Sequence, residues 1–126
     1  MKRNKQDGFT LIELMTVIAI IALLAAVILG LAGNAQKTAA RKKATAEVEQ
    51  LSGMATEYQM KYGQVPQTKE IFSNYLDNID HPLATMMDPW GMSYEYDPTS
   101  RQTFYLYSYG GDVQKTNRPV YIGNAP

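Results

Sequence analysis

Gly8-Phe9-Thr10-Leu11-Ile12-Glu13 stands between a short basic leader and a long apolar run, and leaves one carboxylate at the head of that run. From Leu14 to Gly33, twenty consecutive residues carry no charge. At roughly 1.5 Å per helical residue this makes about 30 Å, the thickness of a bilayer's hydrocarbon core. The segment has the length and composition of a membrane span. A carboxylate at the centre of such a helix costs roughly 2.5 to 3.5 kcal/mol on insertion scales, so Glu13 requires an interfacial position or a partner.

A secretory signal would also begin with basic residues such as Lys2, Arg3 and Lys5 and could end near the small residues Gly30, Ala32, Gly33 and Ala35. Its apolar core is usually about 7 to 15 residues, however, and a carboxylate at the head of a discarded segment serves no purpose. A plain single-span anchor is the other ordinary reading. The positive-inside rule does not orient the span, since Lys37, Arg41, Lys42 and Lys43 flank its far end as heavily as the leader's cations flank the near one.

The 126 residues leave about 90 beyond the span, enough for one small domain. Lys2, Arg3, Lys5 and Asp7 give residues 1–8 a net charge of +2, so removing them from a chain of formal charge zero leaves −2. That remainder offers no basic surface for nucleic acid. Without cysteine, an exported domain must hold together without a disulfide, and lipid anchoring through a thiol is excluded.

Beyond Gly33 the pattern changes from apolar on every side to apolar on one stripe: Ala44, Val48, Leu51, Ala55, Tyr58 and Tyr62 recur at three- and four-residue steps. No proline occurs before Pro66, so one helix is predicted from about Phe9 to Tyr62, stopped by Gly63 as a C-cap and by Pro66 behind it. Gly30 and Gly33 are its weak points, serving either close helix packing or local unwinding. A short helix is expected around Lys69 to Tyr75 and a loop through Asp77, Asn78, Asp80 and Pro82. Asp88-Pro89-Trp90-Gly91 reads as a turn, Met92 to Asp97 as a strand with Tyr94 and Tyr96 on one face, and Asp97-Pro98-Thr99-Ser100 as the next turn. Thr103 to Tyr109 is the strongest strand signal, and Val120 to Ile122 a weaker one. Three antiparallel strands against the amphipathic stripe make a small α+β head.

A leader ending in Gly8, a mature start at Phe9 and an acidic fifth mature residue, Glu13, resemble the prepilin family. The resemblance covers Lys2 to Ala26 and implies cleavage after Gly8 by a membrane-embedded prepilin peptidase, methylation of the Phe9 amine and use of the apolar helix as a filament assembly element. It also implies a leader in the cytoplasm, a span over residues 9–33 in the inner membrane, and a periplasmic or extracellular head over residues 34–126. In such a filament Glu13 is expected to pair with the Phe9 amine of a neighbouring subunit. Gly30 departs from the family, which carries a helix-bending proline there.

Tyr58-Gln-Met-Lys-Tyr-Gly-Gln-Val-Pro66, Asp88-Pro-Trp-Gly-Met-Ser-Tyr-Glu-Tyr96 and Leu106-Tyr-Ser-Tyr-Gly-Gly-Asp112 are similar to the head of the major pseudopilin of type II secretion. That family binds calcium through an aspartate like Asp112, a second acidic residue downstream and backbone carbonyls. Here Val113-Gln-Lys-Thr-Asn-Arg-Pro119 holds no acidic residue, while calcium takes six to eight oxygens. Asp112 is thus the single candidate calcium ligand, and its expected role is to cap a turn or pair with Lys115.

The remaining residues point to structure. Trp90 is expected to pack on the sheet. Tyr94, Tyr96, Tyr105, Tyr107, Tyr109 and Tyr121 suit a half-buried sheet, and a stacking surface for nucleic acid would want interleaved cations. His81 is the only histidine and has no cysteine to share a zinc. No nucleophile with a base, phosphate loop or carboxylate pair appears, so no catalytic residue and no cofactor are expected.

The chain is therefore expected to be an exported filament subunit: a homo-oligomeric type II secretion pseudopilin acting with other pseudopilins and an inner-membrane assembly platform. A type IV pilin for adhesion, motility or DNA uptake, and a monomeric membrane-anchored binding module, are the alternatives.

Overall fold

A computed structural model describes residues 8–115 and 122–126. Two units divide the chain, Met1–Lys37 and Thr38–Pro126. Helix α1, Leu11–Tyr62, contributes to both. In the first unit it is long and apolar enough to cross a membrane, and its large side chains, from Leu11 to Leu31, are exposed throughout. Gly30 and Gly33 lie within the helix, with nothing crowding either.

In the second unit α1 is amphipathic as expected, burying Ala44, Val48, Leu51 and Ala55. The stripe runs off the core at its end: Tyr58 is partly buried and Tyr62 exposed, the two rings lying 4.4 Å apart. The stop is at Gly63, whose φ of +77° is the left-handed conformation that a side chain would disfavour. The exit is then fixed twice. The Val65 N–H donates to the Arg101 carbonyl at 2.9 Å, and the Pro66 carbonyl accepts the Tyr96 hydroxyl at 2.7 Å.

Helix α2, Lys69–Asn78, starts at Thr68, whose backbone is extended and whose side-chain oxygen accepts the Ile71 N–H at 3.1 Å. Phe72, Tyr75 and Leu76 form its buried face. The helix runs three residues beyond Tyr75, and Asp77 and Asn78, expected in the following loop, form its last turn. The cause is its ending. His81 N–H reaches the Leu76 carbonyl and Asp80 N–H the Asp77 carbonyl, with Asp80 at φ +52°. This is a Schellman motif in which aspartate occupies the left-handed position that glycine usually fills.

The sheet consists of β1 (Glu95–Pro98), β2 (Phe104–Ser108) and β3 (Ile122–Asn124), antiparallel in the order β1-β2-β3. Tyr96 faces Leu106 and Tyr107 faces Gly123 across it. Two boundaries differ from expectation. Residues 92–94 pair back on 86–88 instead of joining β2: Asp88 N–H bonds the Met92 carbonyl, Tyr94 N–H the Met86 carbonyl, and Met87 bridges to Ser93. Pro98 belongs to β1 and not to the turn, which begins at Thr99. Since Thr99 N–H bonds the Thr103 carbonyl, the alternation of an antiparallel ladder puts Pro98 at a position that needs no donor, on an edge strand. Val120 and Tyr121 of the expected last strand lie outside the described residues.

Val48, Leu51, Ala55, Phe72, Leu76, Met86, Tyr94, Tyr96 and Leu106 close one core between α1, α2 and the sheet. Tyrosine supplies much of it, which sets its pH dependence. Burial, followed by the hydrogen bond to Glu47 and that residue's charge, raises the pKa of the Tyr94 phenol; burial also raises those of Tyr96 and Tyr107. The Tyr94 hydroxyl donates to Glu47 Oε2 at 2.5 Å. A phenol whose pKa is raised on folding contributes stability that is full below the unfolded value of 10.0 and is lost as pH climbs above it. The melting temperature of the full chain in detergent should therefore fall steeply from pH about 10 upward, with part of the tyrosine absorbance titrating only as the fold opens. Melting that stays unchanged to pH about 12 would contradict the assignment.

Candidate assembly site and head loop

Gly8, Phe9 and Thr10 are non-helical and exposed, so the Gly8–Phe9 peptide bond lies just outside the helix. Lys2, Arg3, Lys5 and Asp7 lie outside the described residues. Thr10 and Glu13 close the start of α1 reciprocally: Thr10 N–H donates to Glu13 Oε2 at 2.9 Å, and Glu13 N–H to Thr10 Oγ1 at 3.4 Å. This is a capping box, and its Thr-x-x-Glu signature stands in the sequence. Thr10 is the functional neighbour that sequence reasoning passed over. One oxygen of Glu13 thus serves its own helix, and a carboxylate has acceptor capacity left for a cation.

In the head, Asp88 is buried and organises the turn that precedes the sheet. Its Oδ1 accepts Trp90 N–H at 3.0 Å and Met92 N–H at 2.8 Å, while Oδ2 accepts the buried Ser108 hydroxyl at 2.7 Å. Ser108 Oγ in turn accepts Gly110 N–H at 3.0 Å. Trp90, expected against the sheet, lies over Gly111 in the turn after β2. A Cβ at Gly111 would stand 3.0 Å from the indole, and its φ is +87°. The backbone favours glycine there, and any other residue would also press the indole aside.

Asp112 caps this turn, Oδ1 accepting Gln114 N–H at 3.1 Å, as one of its two expected roles had it. Lys115 Nζ lies 3.3 Å from Glu95 Oε1 and 4.6 Å from the centre of the Tyr109 ring. Among the described residues no group of three acidic, histidine or cysteine side chains converges. Calcium takes six to eight oxygens, and a loop with one carboxylate engaged to backbone and an ammonium beside it is a poor fit for that ion. His81, the lone histidine, fixes its own loop by accepting Leu83 N–H at 3.1 Å.

An accessible Gly-Phe bond, an immediately capped helix and an exposed apolar span define the N-terminus of a prepilin-like protein, and the prokaryotic N-terminal methylation motif matches residues 3–29. The model for type II secretion system (T2SS), protein G, matches residues 32–121. The chain belongs to this protein G family. It is 29% identical to the type II secretion system core protein G of Pseudomonas aeruginosa, covering 98% of each chain. Against the core protein G of Escherichia coli K12 the identity is 31%, over 86% of this chain and 84% of that one. The Vibrio cholerae core protein G is 29% identical over 90% of this chain and 86% of its own length. No solved structure matches.

Proposed function

We propose that this chain is a filament-forming subunit of a type II secretion pseudopilus, assisting export of folded proteins across the outer membrane. The observation that carries the reading is the likeness to core protein G along nearly the whole chain, joined to a helix capped at Thr10, directly after Gly8–Phe9. A prepilin peptidase cuts after Gly8 and the Phe9 amine is methylated. Residues 9–33 hold the subunit in the inner membrane, and residues 34–126 form a periplasmic head. Other pseudopilins and an inner-membrane platform are its assembly partners, and its role is mechanical.

Intact-mass measurement of protein from its native host tests the processing. The expected mass is that of residues 9–126 plus one methyl group. A start after Ala32 or Ala35 would mean a secretory signal, and retained Met1 a plain anchor. Deletion of the gene should abolish secretion while leaving surface pili intact; the reverse pattern would make the chain a pilin.

A further inference from the structure

We propose that Lys115 does within this head what a bound metal ion would otherwise do: it is a built-in cation that fastens the loop after β2 to the sheet edge. Three contacts place it there. Its backbone N–H closes the turn on the Asp112 carbonyl at 3.1 Å. Its own φ of +56° is a conformation that a lysine adopts only when its surroundings impose it. Its ammonium then sits 3.3 Å from Glu95 on β1 and 4.6 Å from the ring centre of Tyr109, which follows β2 directly.

The two partners divide the work. Glu95 is the first residue of an edge strand, opposite Tyr107, so the ion pair joins the loop after β2 to the neighbouring strand β1. Tyr109 packs edge-on against Tyr107 at 5.5 Å, and its face receives the ammonium. Ring and carboxylate together hold the cation from two directions, which an isolated surface pair does not. Meanwhile Asp112 is committed to Gln114 N–H, so the loop's acidic oxygen stabilises the turn itself. A lysine in this position makes a divalent ion unnecessary and also unwelcome, because the ion would bring a second cation next to an ammonium.

Thermal unfolding of the full chain in detergent tests this without reference to filaments, so a failure here would leave the pseudopilus reading standing. The wild-type midpoint should be the same in calcium and in chelator. Lys115→Gln should lower it by a few degrees at low ionic strength. Glu95→Gln should lower it by less, since the contact with the Tyr109 ring remains, and the double variant should lose no more than Lys115→Gln alone. Because the pair is partly exposed, the difference should shrink at about 1 M salt, where the screening length falls to about 3 Å. Lys115→Arg, which keeps the charge and stacks on aromatic faces, should retain most of the midpoint. A rise of many degrees on adding calcium to the wild type, or a Lys115→Gln midpoint equal to wild type at low salt, would overturn the proposal.

Discussion

Glu13→Leu should still be inserted and cleaved after Gly8, yet yield no filaments. The proposed pairing of Glu13 with the Phe9 amine of a neighbour explains why. A carboxylate and an ammonium entering an apolar helical bundle are each costly alone, and bringing them together offsets that cost, so the pair sets the stagger between subunits more than it adds stability. The capping box supplies the competing account, because Glu13 Oε2 also bonds Thr10 N–H. Thr10→Ala separates the two. Losing an N-cap side chain costs about 1 kcal/mol of helix stability, which a helix of 52 residues tolerates. If pairing governs assembly, Thr10→Ala filaments form nearly normally, Glu13→Asp filaments form in part, and Glu13→Leu filaments do not form. If capping governs it, Thr10→Ala and Glu13→Leu fail alike. Crosslinking of subunits in membranes beside a secretion assay reads both, and normal filaments from Glu13→Leu at native expression would rule the pairing out.

The prepilin-like motif was legible because its information is local. Gly8, Phe9 and Glu13 lie within six residues, and an uncharged span announces itself by length. The same holds for the end of α1, where Gly63 carries its own conformational signal, and for Ala44, Val48, Leu51 and Ala55, whose spacing alone defines a buried face. What stayed hidden depends on partners distant in sequence or on substitutes for the usual residue. Helix α2 overran its expected end because Asp80 fills a position where glycine would have marked the stop. Residues 92–94 form a strand-like run, but nothing in their composition says that 86–88, and not β2, will pair with them. Lys115 could be seen to oppose calcium, yet its partner Glu95 stands twenty residues earlier, on a strand whose register the sequence does not state.

Asp88→Ala should cause a large loss of stability in the head. Read in isolation, Asp88 is a turn residue; in the fold it is a buried carboxylate that accepts two backbone N–H groups and the Ser108 hydroxyl. Alanine leaves those donors without a partner, and a buried unsatisfied group costs about 1 to 3 kcal/mol. The change also removes the cost of desolvating the carboxylate, so the net effect is smaller than the sum of three bonds, about 3 kcal/mol. A domain of this size loses roughly 4 to 8 °C of melting temperature per kcal/mol, which makes the expected drop about 12 to 24 °C. Asp88→Asn keeps one acceptor oxygen for the Trp90 and Met92 N–H groups. It turns an amide donor toward Ser108, however, whose oxygen already accepts Gly110 N–H. Its midpoint should fall between the other two. The damage should spread through the Ser108 link to the turn that holds Trp90 over Gly111, so the tryptophan emission of Asp88→Ala should shift to the red even below its melting temperature. Since a domain's total stability is about 5 to 15 kcal/mol, the variant should also be depleted in cells at growth temperature, with secretion falling in proportion to the subunit remaining. Equal midpoints for Asp88, Asn and Ala would show that the turn is held by other contacts.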